Sequence, residues 1–202
     1  MKIGIIGAST VGITLATQFV AVGHEVLVAN SRGRESLQDR LADIDDRLTA
    51  ASVTEACESD IVFLAVPWLK VRDVLTPERD WGGHILVDTT NIFLSYAPDF
   101  RVDDLKGDSG SEIVSRLAPS ARTVKAFNTL PFEKIFAPHE PTVRRVLFLA
   151  GDDPSAVATV ETLISELGLH PIALGSLAVA GRLMELNGPL NGLELLSPIN
   201  NS

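Results

Sequence analysis

The chain has 202 residues, 46% of them apolar and 21% charged, which is enough for one packed domain with a modest appendage. Its formal net charge of −9 argues against nucleic acid or an anionic membrane as a partner. Cys57 is the only cysteine, so neither an internal disulfide nor a cysteine-based zinc site is open to the chain, and a cytoplasmic setting is expected.

In chain order, Ile3, Ile5 and Ile6 read as a buried parallel strand, β-branched and stopped by Gly7. Val11, Leu15, Phe19 and Val22 then recur at helical spacing. Gly23 stands where a left-handed helix cap is wanted, and residues 26–29 resume as a strand. Strand, crossover helix and parallel strand make a βαβ unit. The opening residues look superficially like a secretion signal, but the glycine, serine and threonine positions between Gly7 and Gly12 break the apolar run. Nothing approaches the roughly eighteen apolar residues of a membrane span.

Gly7-x-Ser9-x-x-Gly12 is the dinucleotide fingerprint G-x-G-x-x-G with serine at its middle position. The first glycine permits the tight turn and the third lets helix and strand pack closely. Ser9 gives up some clearance but adds a hydroxyl that can donate to phosphate. A helix starting near Thr10 supplies free N–H groups and the positive end of its dipole. The alternative is a βαβ unit with a vacant glycine turn. After the second strand, Asn30, Ser31, Arg32 and Arg34 stand where NAD-preferring sites place an acid. A guanidinium and a hydroxyl there suit a ribose 2′-phosphate, so NADP(H) is expected; two solvated arginines are the plainer reading.

Residues 34–46 read as a polar helix and 53–59 as a second short one carrying Cys57 as filler. Residues 61–66 form a buried strand halted by Pro67, and its Ala65-Val66-Pro67 end should face the cofactor. Trp68 either walls that pocket or covers the next helix. Residues 84–87 are a strand with a polar end at Asp88 to Asn91, where Asn91 either bonds the cofactor or caps a turn. Residues 92–108 show little periodicity and read as loop. Ser109 and Glu112 have capping-box spacing ahead of a helix to Leu117. Residues 123–127 and 145–150 are further strands, and Pro154 behind two aspartates starts a helix to about Gly168. A short strand at 171–174 and a helical stretch at 178–186 close the pattern. Alternating strands and helices predict an α/β, Rossmann-type, doubly wound and mainly parallel sheet with a small C-terminal helical portion. The expected division is 1–150 for NADP(H) and 151–202 to complete a substrate cleft. The four histidines form no constellation, and no nucleophile elbow or metal spacing occurs.

Taken together, the chain resembles the NADPH-dependent reductases of deazaflavin coenzyme F420. The likeness rests on Gly7 to Gly12, Asn30-Ser31-Arg32-Gly33, Ala65-Val66-Pro67-Trp68, Ser111-Glu112-Ile113-Val114, Ala126-Phe127-Asn128-Thr129-Leu130, Ala150-Gly151-Asp152-Asp153 and Gly181-Arg182-Leu183-Met184-Glu185. The resemblance implies an oxidoreductase, often dimeric, that passes a hydride directly between the nicotinamide and the deazaflavin. By position it implies that Ser9, Thr10, Val11, Ser31 and Arg32 hold NADP(H). Ala65, Val66 and Pro67 would line the nicotinamide half, and Asn128, Thr129 and Leu130 with Leu177 to Arg182 would border the second ring. The segment Leu177-Ala178-Val179-Ala180-Gly181 is almost wholly apolar, so other acceptors, such as a flavin, a quinone or iron, stay open, as does a non-catalytic NADP(H) sensor.

Overall fold

The computed structural model describes residues 1–77 and 79–199. The N-terminal unit forms as its sequence predicts: β1 (Lys2–Ile6), α1 (Thr10–Ala21) and β2 (Glu25–Ala29), with β1 and β2 parallel and Ile5 opposite Val28. Leu15, Ala16 and Phe19 of α1 are fully buried on the sheet. The next helix, α2 (Glu35–Ala42), is shorter than the 34–46 expected, because the chain turns back at Asp43 to make room for a strand. That strand, β3 (Leu48–Ala51), is absent from the sequence reading. Leu-Thr-Ala-Ala has no strand periodicity of its own; pairing with β2, Ala51 against Ala29, makes it one.

Beyond α3 (Val53–Cys57), whose N-terminus carries a Ser52–Glu55 capping box, come the buried strand β4 (Ile61–Leu64), a 3-10 turn (Trp68–Lys70), α4 (Val71–Val74) and β5 (Ile85–Asp88). Where a loop was expected over 92–108, β6 (Phe93–Ser95) and β7 (Arg101–Val102) pair as an antiparallel hairpin. The chain continues through α5 (Gly110–Leu117), β8 (Arg122–Ala126), α6 (Phe132–Ile135) and β9 (Val143–Gly151). It ends with α7 (Pro154–Glu166), β10 (His170–Ala173), α8 (Leu177–Met184) and β11 (Leu196–Pro198). Both predicted helix starts are present: Ser109 and Glu112 bond reciprocally, and the Asp153 side chain accepts from the Ala156 N–H.

The strands lie in the order β10-β9-β8-β5-β4-β1-β2-β3, with β11 on β9. From β3 to β8 all neighbours are parallel; β9 runs antiparallel to β8, and β10 is parallel to β9. The sheet is therefore α/β, Rossmann-like and mostly parallel, with helices on both faces. One core layer contains Phe19, Phe63 and Phe127, and a second contains Trp68, Trp81 and Leu86. Winding goes one way from β1 to β3 and the other way from β4 onward. The switch falls between β1 and β4, where a crevice must open outside their carboxyl ends. No helix among the described residues is long and apolar enough to cross a membrane.

Candidate functional site

Gly7 turns the chain out of β1 at φ +119, and a Cβ there would lie 2.1 Å from the Ala65 carbonyl oxygen. A Cβ on Gly12 would lie 1.8 Å from the Gly7 oxygen. Only glycine satisfies both approaches, so the turn rides directly over the end of β4 with α1 behind it. Gly12 is buried and supports the turn from behind instead of lining the crevice. Ser9 is the N-cap of α1: its carbonyl accepts from the Ile13 N–H at 3.0 Å while its hydroxyl caps nothing. With no acid in the first turn, the free N–H groups and dipole of α1 form an anion-binding corner.

The crevice has two connected parts, which share Ser9, Ala65, Val66 and Pro67. The part toward β2, about 750 Å³, is bordered by Gly7, Asn30, Ser31 and Arg32, with Lys70 and Arg79 across from them. The Asn30 side chain shapes this loop, taking the Arg32 N–H at 2.8 Å and donating to Ser36 Oγ at 3.0 Å. The two arginines of the loop differ in a way the sequence conceals. Arg34 is bound to Glu55, and that hydrogen bond, with help from Ser52, holds the Glu55 carboxyl down at about 2. Arg32 is exposed, and its guanidinium has no protein acceptor among the described residues.

The other part, about 470 Å³, runs over the ends of β5 and β8. Its wall is aromatic and apolar, from Phe93, Tyr96, Phe127, Leu130 and Phe132. Phe127 ends β8 at φ +62, and Asn128 follows it into the wall. Asn91 donates to the Asn128 carbonyl at 3.0 Å, while Asn128 Nδ2 donates to Asn91 Oδ1 at 3.2 Å and to the Met184 carbonyl at 2.9 Å. Asn128 Oδ1 is buried with no partner among the described residues. Thr129 reaches the same cavity, and its carbonyl accepts from the Gly192 N–H at 2.7 Å.

A fully buried ion pair, Lys125 Nζ to Asp88 Oδ2 at 3.0 Å, lies under this floor. Asp88 also takes the Ser111 hydroxyl at 2.7 Å and the Thr90 N–H at 2.9 Å, and Lys125 donates to the Thr90 carbonyl. Every polar contact of the pair therefore fixes the segment that presents Thr90 and Asn91. Nearby, Glu185 accepts from the Gly110 N–H, yet burial pushes its carboxyl above the ordinary value.

Of the site residues expected from sequence, Ser9, Thr10, Val11, Ala65, Val66, Pro67, Asn91, Asn128, Thr129 and Leu130 meet at this cavity. Leu177 and Arg182 do not. Leu177 is buried against Val146, Phe148 and Ala150, and Arg182 is exposed and bonded to its own helix at Ala178. The apolar face of α8 is spent on β9 and α5, so the C-terminal segment reaches the cavity later, through Leu186, Asn191 and Gly192. The sequence also missed Phe93, Tyr96 and Glu133. The signal for the first two was an aromatic cluster, Phe93, Tyr96 and Phe100, in a stretch without periodicity. Trp68 is 1% exposed, with Nε1 donating to Asp103 at 2.8 Å, so of its two readings the covering one holds.

A parallel sheet with a glycine turn and a free helix N-terminus at its switch point defines a Rossmann-type dinucleotide-binding protein. Residues 2–92 match the family described as NADP oxidoreductase, coenzyme F420-dependent. A hypothetical protein of Sinorhizobium meliloti is 41% identical, with 98% of this chain and 96% of that one covered and a TM-score of 0.88. A candidate F420-dependent NADP reductase of Arthrobacter sp. FB24 is 26% identical, with 89% and 87% covered and a TM-score of 0.74. The chain belongs to this NADP-dependent oxidoreductase family. It is also 29% identical over 181 residues to the metalloreductase STEAP3 of Rattus norvegicus, covering 89% of this chain but 35% of that protein. The chain thus spans about a third of the length of this curated relative.

Proposed function

We propose that the protein passes a hydride directly between NADP(H) and a planar ring acceptor, the deazaflavin F420 or a flavin, held in the aromatic half of the crevice. The observation that carries this reading is the continuity of two unlike cavities across Ser9 and Pro67: one with an unpaired guanidinium at its far end, the other walled by aromatic rings.

The residues fit the cofactor. The α1 N–H groups and the uncommitted Ser9 hydroxyl hold a diphosphate, and Arg32 with Ser31 holds the 2′-phosphate. Ala65, Val66 and Pro67 form the ledge between the two cavities and seat the nicotinamide. When bound, the cofactor supplies the hydride, and the acceptor completes its reduction with a proton. No side chain need take part in covalent chemistry, so rate enhancement comes from holding two rings at roughly 3–3.5 Å and keeping water away. Phe93, Tyr96 and Phe132 border that half, with the Phe127 ring packed into the core behind it. We assign residues 1–150 to cofactor binding and 151–202 to completing the acceptor cleft through Asn191 and Gly192.

Following nicotinamide absorbance with NADPH or NADH and a panel of F420, flavins and ferric complexes tests the reading. Turnover with a ring acceptor and at least about a tenfold preference for NADPH, equivalent to roughly 1.4 kcal/mol, is expected. Reduction of ferric complexes alone would replace the ring acceptor with a metal substrate, and no turnover with any of them would favour a redox sensor.

A further inference from the structure

Arg145 is a buried charge that the hydride-transfer reading leaves without a task. It lies near the start of β9 and is 4% exposed, and a guanidinium keeps its charge when buried, so its partners have to offset the loss of water. Those partners come from two separate segments. Nε donates to Glu194 Oε1 at 2.9 Å, while Nη1 donates to the carbonyls of Ile135 at 3.0 Å and Ala137 at 2.9 Å. Ile135 is the last residue of α6, where a helix leaves carbonyls without internal partners. Both segments line the acceptor half of the crevice: Phe132 and Glu133 from α6, and Asn191 and Gly192 from the chain leading to Glu194.

The C-terminal segment has little else to hold it. From Gly192 to Ile199 no residue is buried, so apolar packing contributes little to fixing its place. Its backbone is anchored where the Gly192 N–H donates to the Thr129 carbonyl at 2.7 Å, where the Leu195 carbonyl accepts from the Val146 N–H at 2.9 Å, and along β11. Among the described residues, Glu194 is the one side chain of 186–199 that makes a hydrogen bond or an ion pair, and it makes both with Arg145.

Resting on the hydride-transfer reading above, we propose that Arg145 is a positioning residue of the acceptor site: its guanidinium ties α6 to the C-terminal segment and so fixes these two walls of the acceptor half relative to each other. It acts from behind the walls and touches neither cofactor nor acceptor. A planar, rigid fork suits the task, because one group meets a carboxylate and two carbonyls on different segments at once. An ammonium in its place is a compact point charge on a flexible stem and does not hold that arrangement.

Glu194→Ala frees the C-terminal segment and leaves both carbonyl bonds to α6 in place; Glu194 is exposed, so the variant should fold. KM for F420 or FMN, whichever is turned over, should rise about fivefold, with kcat and the NADPH dissociation constant each within about twofold of wild type. Glu194→Gln keeps an oxygen for Nε and should recover most of that loss. Arg145→Lys loosens both segments and should raise KM further than Glu194→Ala does. An acceptor KM that Glu194→Ala leaves in place, even with a lowered melting temperature, or an equal loss of NADPH affinity, overturns the assignment. Should no acceptor be turned over, the functional reading fails, and the tie is then read by amide hydrogen exchange. Glu194→Ala should speed exchange over residues 190–199 and leave 132–137 and 7–11 as in wild type, whereas Arg145→Lys should speed 190–199 and 132–137 together. Unchanged exchange over 190–199 in Glu194→Ala overturns the tie, whether or not Arg145→Lys folds.

Discussion

Backbone makes the cofactor half of the crevice and side chains make the acceptor half. On the cofactor side the essential features are a glycine at φ +119, carbonyl approaches that no Cβ would allow, and the open end of a helix. On the acceptor side the floor is held by Lys125, Asp88, Ser111 and Thr90, and the wall by aromatics from a hairpin and from the ends of β8 and α6. The first kind of site is written in a few adjacent residues. The second is assembled from distant segments and is free to change its ligand.

Breaking the floor is the most severe test of this contrast. Lys125→Met should destabilise the protein by about 3–5 kcal/mol, because it leaves Asp88 buried and without its cation. For a chain of this size that corresponds to a melting temperature lower by roughly 10 °C. Where the variant still folds, KM for the acceptor should rise severalfold while the NADPH dissociation constant moves less than about twofold. Equal weakening of both would show that the halves are mechanically one.

The same contrast explains what could be read from the sequence. Gly7 and Gly12 were legible because each meets a close backbone approach set by local geometry. The Ser109–Glu112 box and the Asp153-Pro154 start were legible for the same reason. β3 and β11 were not, since Leu-Thr-Ala-Ala or Leu-Ser-Pro become strands only through partners well separated along the chain, and the β6–β7 hairpin was not because its two short, irregularly registered strands carry no alternation of their own. The acceptor wall suffers most: Phe93, Glu133 and Asn191 share a cavity but no sequence pattern. Leu177 and Arg182 were placed there by resemblance, and the packing of α8 on β9 and α5 takes them elsewhere.

A smaller effect separates the two arginines beyond β2. Arg32→Ala should weaken NADPH binding about tenfold and leave NADH nearly unchanged, since roughly 1.4 kcal/mol is one decade and a charge-assisted contact contributes about that much or more. Arg34→Ala should change NADPH binding less than about twofold, because that guanidinium is committed to Glu55. Equal losses in the two variants, read by calorimetric titration, would mean that the loop acts as a diffuse positive patch and that the unpaired state of Arg32 has no special consequence.

The smallest expected effect compares two carboxylates. Glu55, beside the cofactor half, is exposed and held at about 2 by Arg34; Glu185, behind the acceptor half, is pushed up by burial against the opposing pull of the Gly110 N–H and Lys125. Their links to stability therefore have opposite signs. A depressed carboxyl such as Glu55 supports the fold above its ordinary value of 4.5 and loses that support as pH falls toward 2. A raised carboxyl such as Glu185 favours the fold most below 4.5, where it is protonated in both states, and its contribution is lost as pH rises through the folded value. Glu185→Gln keeps an oxygen for the Gly110 N–H and removes the charge. Its stability relative to wild type should grow as pH rises above 4.5 and then level off. Glu55→Gln should do the reverse: its deficit relative to wild type is full above 4.5 and closes as pH falls toward about 2, where the native carboxylate takes up its proton. Denaturant titrations across that pH range separate the two slopes. Parallel slopes would remove the distinction between a carboxylate set by a partner and one set by burial.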